Sequence, residues 1–216
     1  MICITSTHLA NADTQQWLTM LPNNLAATCS NVSGIGYSFQ MGACHQLADA
    51  SSGTYLQVTQ DKNNYFQFNF YTNEQCTNFL SGPQTVSTNC SSFSMLVAGP
   101  SQFVWMREQY YSFALSAAPL VGVPQDAVVM QFFNDVAGAA QCNTGASYYQ
   151  FVSNGVVSTD LYAQSIMQFQ CVDGNKPLVN LCKAKQCIYP IDLSTNCNQW
   201  PQSNYQGFKI SCNTSS

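Results

Sequence analysis

Charge is what this chain has least of. Of its 216 residues only 7% are Asp, Glu, Lys or Arg, against about 25% in an ordinary globular protein. Arg107 is the single arginine, Glu74 and Glu108 are the two glutamates, and Lys183 and Lys185 make the nearest approach to a basic cluster. A nucleic-acid partner is excluded on this ground, because phosphate neutralisation needs several cations on one face. Long apolar runs are missing as well. The best uncharged stretch, Ala114 to Val123, is broken by Pro119 and falls short of the roughly 18 residues that a membrane helix takes. Scarce charge does not imply disorder here, since 46% of the residues are hydrophobic and can fill a core. The wet surface falls to Asn, Gln, Ser and Thr, which hydrogen-bond to water but repel other copies weakly.

Groups for catalysis are nearly as scarce. His8 and His45 are the only histidines, so any nucleophile would depend on one of them as base. His45 lies in GACHQLAD, four residues before Asp49, yet no G-x-S-x-G elbow accompanies it. Glu74, Glu108, Asp126, Asp135 and Asp160 are scattered, and Asp13, Asp61, Asp126 and Asp173 suit caps and turns. Neither G-x-G-x-x-G nor a Walker sequence is present. Cys171, Cys182, Cys187 and Cys197 have irregular spacings for a zinc site and read better as disulfides. The expectation is a protein that is not an enzyme, with no catalytic or metal-binding residues and no cofactor.

Cysteine, by contrast, is abundant: Cys3, Cys29, Cys44, Cys76, Cys90, Cys142, Cys171, Cys182, Cys187, Cys197 and Cys212. Spread so evenly, these eleven predict a disulfide framework and an oxidising compartment. Asn31-Val32-Ser33, Asn89-Cys90-Ser91 and Asn213-Thr214-Ser215 are acceptors for N-linked glycans. Together they predict a secreted or cell-surface protein. The segment MICITSTHLANADTQQ has no basic region followed by an apolar run, so a secreted chain would begin inside a longer precursor. SCNTSS suits a trimmed end, or the residue of a lipid anchor. Eleven is odd, so one cysteine is left over. Cys3, on the strand-like MICIT, is the candidate for bonding another chain.

Strand signals dominate the pattern. GTYLQVTQ and YFQFNFYTN, separated by Asp61-Lys62-Asn63-Asn64, predict a hairpin whose second strand turns Phe66, Phe68 and Phe70 inward. ASYYQFVSNGVVSTDLY predicts a second hairpin at Asn154-Gly155. NADTQQWLTML predicts a short helix, capped by Asp13 and stopped by Pro22. QFVWMREQYYSFAL fits a helix or an aromatic strand. The breakers Gly99-Pro100 suggest domains over 1–98 and 99–216, both cysteine-rich and β. VSTNC (86–90) recurs as LSTNC (193–197), each after a Gln-Cys pair (75–76 and 186–187), and Cys76 and Cys142 each follow an aromatic strand. The expected architecture is mainly β: antiparallel, sandwich-like modules stapled by disulfides, with one or two short helices and possible duplication.

At FNFYTNEQCTN and FKISCNTSS the chain resembles the small cysteine-rich surface proteins of social amoebae, of the ponticulin kind. That resemblance implies a secreted, glycosylated, largely β protein, sometimes lipid-anchored; no residues here carry a motif for actin binding. The favoured role is an extracellular structural or assembly protein, a β subunit of a coat, matrix or filament that associates through its unpaired cysteine or by donating a strand to an open edge. The alternative is a glycan-binding lectin or adhesin, with Trp200 and Tyr205 in WPQSNYQGF as the platform.

Overall fold

The computed structural model describes residues 15–23, 29–47, 54–97, 103–133, 142–143, 145–160, 165–173, 175–193, 196–198 and 207–214. Among these there is no helix. The first half contributes β1 (Trp17–Asn23), β2 (Ile35–Gln40), β3 (Cys44–Gln46), β4 (Tyr55–Gln60), β5 (Phe66–Tyr71), β6 (Phe79–Val86), β7 (Ser91–Val97) and β8 (Phe103–Ser116). The second contributes β9 (Val128–Phe133), β10 (Ala146–Val152), β11 (Val157–Asp160), β12 (Ser165–Val172), β13 (Lys176–Lys183), β14 (Gln186–Ile191) and β15 (Phe208–Cys212).

Three antiparallel sheets result. A seven-stranded sheet runs β15-β9-β10-β2-β1-β8-β7, and two four-stranded meanders run β3-β4-β5-β6 and β11-β12-β13-β14. Period-two alternation explains the meanders. In β5, Phe66, Phe68 and Phe70 are buried while Gln67, Asn69 and Tyr71 face outward, the pattern of a sheet with one dry face. Both meanders and the long sheet feed one apolar cluster. Phe66 meets Phe113 of β8 and Phe68 meets Phe93 of β7, whereas Met167, Phe169 and Val179 enter from the other meander. Along the long sheet, Leu18, Phe39, Tyr148, Phe132 and Phe208 stand opposite one another on five successive strands. Adjacent rings are 5.6, 4.7 and 5.7 Å apart from Phe39 to Phe208. Such pairs add about 0.5–1.5 kcal/mol each beyond their burial.

Several expectations are corrected. The helix over 11–21 is instead strand β1 from Trp17. Lying between β2 and β8, it is buried on both faces, so its apolar residues do not alternate and period alone misleads. Asn154-Gly155 does not close a hairpin. Both edges of β10 are already occupied by β2 and β9, and the turn carries the chain over to the β11–β14 meander. There Asn154 Oδ1 accepts from the Cys171 N–H at 3.1 Å. QFVWMREQYYSFAL resolves as strand β8.

The two halves repeat one topology. Each begins with two paired strands of the long sheet (β1-β2, β9-β10), continues through a four-stranded meander, and returns a strand (β8, β15) to the far side of its first. The residue after each STNC pairs with that returning strand: Ser91 with Tyr111, and Asn198 with Phe208. The halves meet at the antiparallel β2-β10 pair. The division at 98/99 falls between β7 and β8, which pair with each other.

The second face of the long sheet is covered by the β8–β9 connection. Val123, Ala127, Val129 and Phe151 form a small cluster there, with Leu21, Val32 and Leu120 packed on it. Gly36 makes this possible, because the Phe151 ring lies directly over it; an added Cβ would collide with that ring and sit 2.5 Å from the Met20 carbonyl oxygen.

Candidate functional site

Five disulfides staple the fold: Cys29–Cys90, Cys44–Cys76, Cys142–Cys197, Cys171–Cys212 and Cys182–Cys187. The first and third are equivalent by topology. Each ties the loop between the first two strands of its half to the STNC after the meander, and each has a Cα–Cα distance of 5.7 Å. Cys142 therefore corresponds to Cys29, not to Cys76. Cys76 and Cys187 also correspond in order, Cys76 in the connection just before the fourth strand of its meander and Cys187 at the start of that strand, but they bond differently. Cys76 reaches Cys44, whereas Cys187 closes a tight hairpin on Cys182.

These bridges use ten of the eleven cysteines. Cys3 is the eleventh. It lies outside the described residues, and no cysteine within these 216 residues is left to pair with it.

The three glycan acceptors fall into two environments. Asn31 and Asn89 are exposed, two residues after Cys29 and one before Cys90. Asn213 is buried, 7% exposed. Its Nδ2 donates to the carbonyls of Val123 and Pro124, both at 3.0 Å. Its backbone N–H donates to Ala127 and its carbonyl accepts from the Asp126 N–H. Four bonds thus hold the β8–β9 connection against the sheet.

Chemistry elsewhere is sparse. His45 is 1% exposed, with Nε2 2.8 Å from the Gln40 carbonyl and its ring against Phe39. Burial pulls its pKa below the usual imidazole value, against opposing backbone bonds from Gln40 and Ser147. Asp49, its sequence neighbour, lies outside the described residues, as do His8, Trp200 and Tyr205. Tyr111 and Tyr148 are core. Tyr149 packs edge-on against Trp17 at 5.5 Å. No group of three or more metal-ligating side chains occurs among the described residues.

The meander edges are poorly suited to strand addition. In β14, Ile188 is bulged out of register with β13 and Pro190 occupies the ladder. In β6 the pairing slips twice, across Gly82-Pro83 and again at Leu80. β3 and β11 span three and four residues. Proline, bulges and shortness all deny an incoming strand its row of partners. The bulge instead leaves Ile188 and Tyr189 exposed, and the Lys183 ammonium lies over the Tyr189 ring at 5.2 Å.

The arrangement defines a class: a mainly β protein whose strands and connecting loops are tied by five disulfides, fitted to an oxidising compartment. No helix among the described residues is long and apolar enough to cross a membrane. The chain belongs to the counting factor-associated protein A/B/C family, whose model matches residues 1–214. That agrees with the likeness to social-amoeba proteins; a kinship with ponticulin is not what the family describes. No curated protein and no solved structure matches the chain.

Proposed function

We propose that this protein is a secreted, non-enzymatic assembly component, a disulfide-framed β subunit that joins an extracellular complex, coat or matrix through Cys3. The carrying observation is the cysteine arithmetic: ten cysteines are satisfied in five bridges, which leaves one thiol for another chain. The family description, counting factor-associated protein, supports association with other proteins as the working property. Blunted edges disfavour strand donation at the two meanders. Polar, weakly charged surfaces agree with close approach of copies or partners.

Non-reducing electrophoresis and light scattering on the chain secreted from a eukaryotic cell test this reading. The expected result is a disulfide-linked species that collapses to monomer with reductant and is lost in Cys3→Ser. A monomer carrying one alkylatable thiol at Cys3 would overturn it.

A further inference from the structure

We infer that N-linked oligosaccharide is confined to one end of the molecule, at Asn31 and Asn89, and that the third acceptor sequence has been taken over by the fold. This rests on the secretory route proposed above. Asn31 and Asn89 approach the Cys29–Cys90 bridge from its two sides. With 5.7 Å between the bridged Cα atoms and at most about 3.8 Å per added residue, their Cα atoms lie within about 17 Å of each other. Both side chains are exposed, and the fold holds both in place. Val32 packs into the cluster beneath the β8–β9 connection and bridges to Asn23, which turns its neighbour Asn31 outward. Beside Asn89, the Ser91 hydroxyl bonds both to Ser87 Oγ, at 2.7 Å, and to the Asn89 carbonyl.

The topologically equivalent end has no acceptor. In sequence, Thr144 follows Cys142 by two residues as Asn31 follows Cys29. Asn196 precedes Cys197 as Asn89 precedes Cys90, but the position of Ser91 is taken by Asn198, whose own amide donates to the Phe208 carbonyl. The Cys142–Cys197 end is therefore bare protein.

Asn213 is excluded on different grounds. An N-glycosylated amide nitrogen keeps one hydrogen, and Asn213 Nδ2 uses two, toward Val123 and Pro124. Attachment of sugar would break one of these bonds and push a glycan into a site that is 7% exposed.

The test secretes the 216-residue chain from a eukaryotic host behind an added leader, which separates this inference from the native destination of the protein. Peptide-N-glycosidase converts each glycosylated Asn to Asp, and peptide mapping reads the conversion. Conversion is expected at positions 31 and 89 and not at 213. Conversion at 213, or its absence at either 31 or 89, overturns the inference. Ser33→Ala and Ser91→Ala should each remove one glycan from the intact mass. Ser215→Ala, which destroys the third acceptor sequence but keeps the Asn213 amide, should change neither glycan mass nor melting temperature. Asn213→Ala should lower the melting temperature without removing glycan. Assembly through Cys3 is read separately on the same material, so either proposal can fail alone.

Discussion

Removing the Cys29–Cys90 bridge should cost far more stability than removing Cys182–Cys187. In the chain-entropy account a cross-link stabilises by restricting the unfolded chain, in proportion to the logarithm of the loop it closes. The sequence separations are 61 and 5, which give about 4.3 and about 2.1 kcal/mol at 25 °C. The difference of about 2.2 kcal/mol is roughly forty-fold in the folding equilibrium. Packing widens the gap. Cys182 and Cys187 lie on strands already paired in the β13-β14 ladder, whereas Cys29–Cys90 spans from the β1–β2 loop to the end of a meander. Urea unfolding of the two double-alanine variants measures both quantities. The Cys29/Cys90 variant should also show a steeper denaturant dependence, because its unfolded chain expands, and the Cys182/Cys187 variant should not. Equal losses, or the reverse order, would refute the reasoning.

Gly36→Ala should destabilise by at least the 1–3 kcal/mol typical of overpacking; rotation of Phe151 cannot relieve the contact with the Met20 carbonyl, so a loss below about 0.5 kcal/mol in thermal unfolding would contradict the packing. His45 makes stability fall as pH falls. The unfolded chain takes up a proton near the ordinary value of about 6.5 while the buried ring resists it, giving a slope of at most about 1.4 kcal/mol per pH unit below that value. Comparing unfolding midpoints from pH 7.5 to 5.5 should show a shallower slope in His45→Gln, and parallel slopes would remove His45 as the cause. Full reduction should unfold the protein at 37 °C, read as loss of the near-ultraviolet circular dichroism signal.

Residues on one dry face announced themselves in the sequence. Phe66, Phe68 and Phe70 alternate with polar neighbours because only one side of β5 is buried. β1 did not, since a strand enclosed on both sides and covered by a loop has no polar phase to reveal its period. Asn154-Gly155 carries hairpin chemistry, but a turn sequence fixes only the local reversal; which strands then pair depends on edges already filled elsewhere. The odd cysteine count was plain, and so was the STNC recurrence. The correspondence of Cys29 with Cys142 was not, because TCSNVSG and QCNTG are short and polar, and only the order of strands aligns them. For Asn213 the motif was legible and its environment was not. An acceptor triplet specifies three residues, whereas the clamp depends on carbonyls some ninety positions earlier.

The junction of β2 with β10 has a further consequence. Each half, taken alone, would end its part of the long sheet on an uncovered inner strand, six residues of β2 or seven of β10, with nothing like Pro190 to guard it. Within the full chain each half caps the other, so joining two similar units in one polypeptide does what a two-fold dimer would otherwise do. A nick in the β8–β9 connection should therefore leave the fragments together, while either fragment expressed alone should seek a second copy of itself across that same edge.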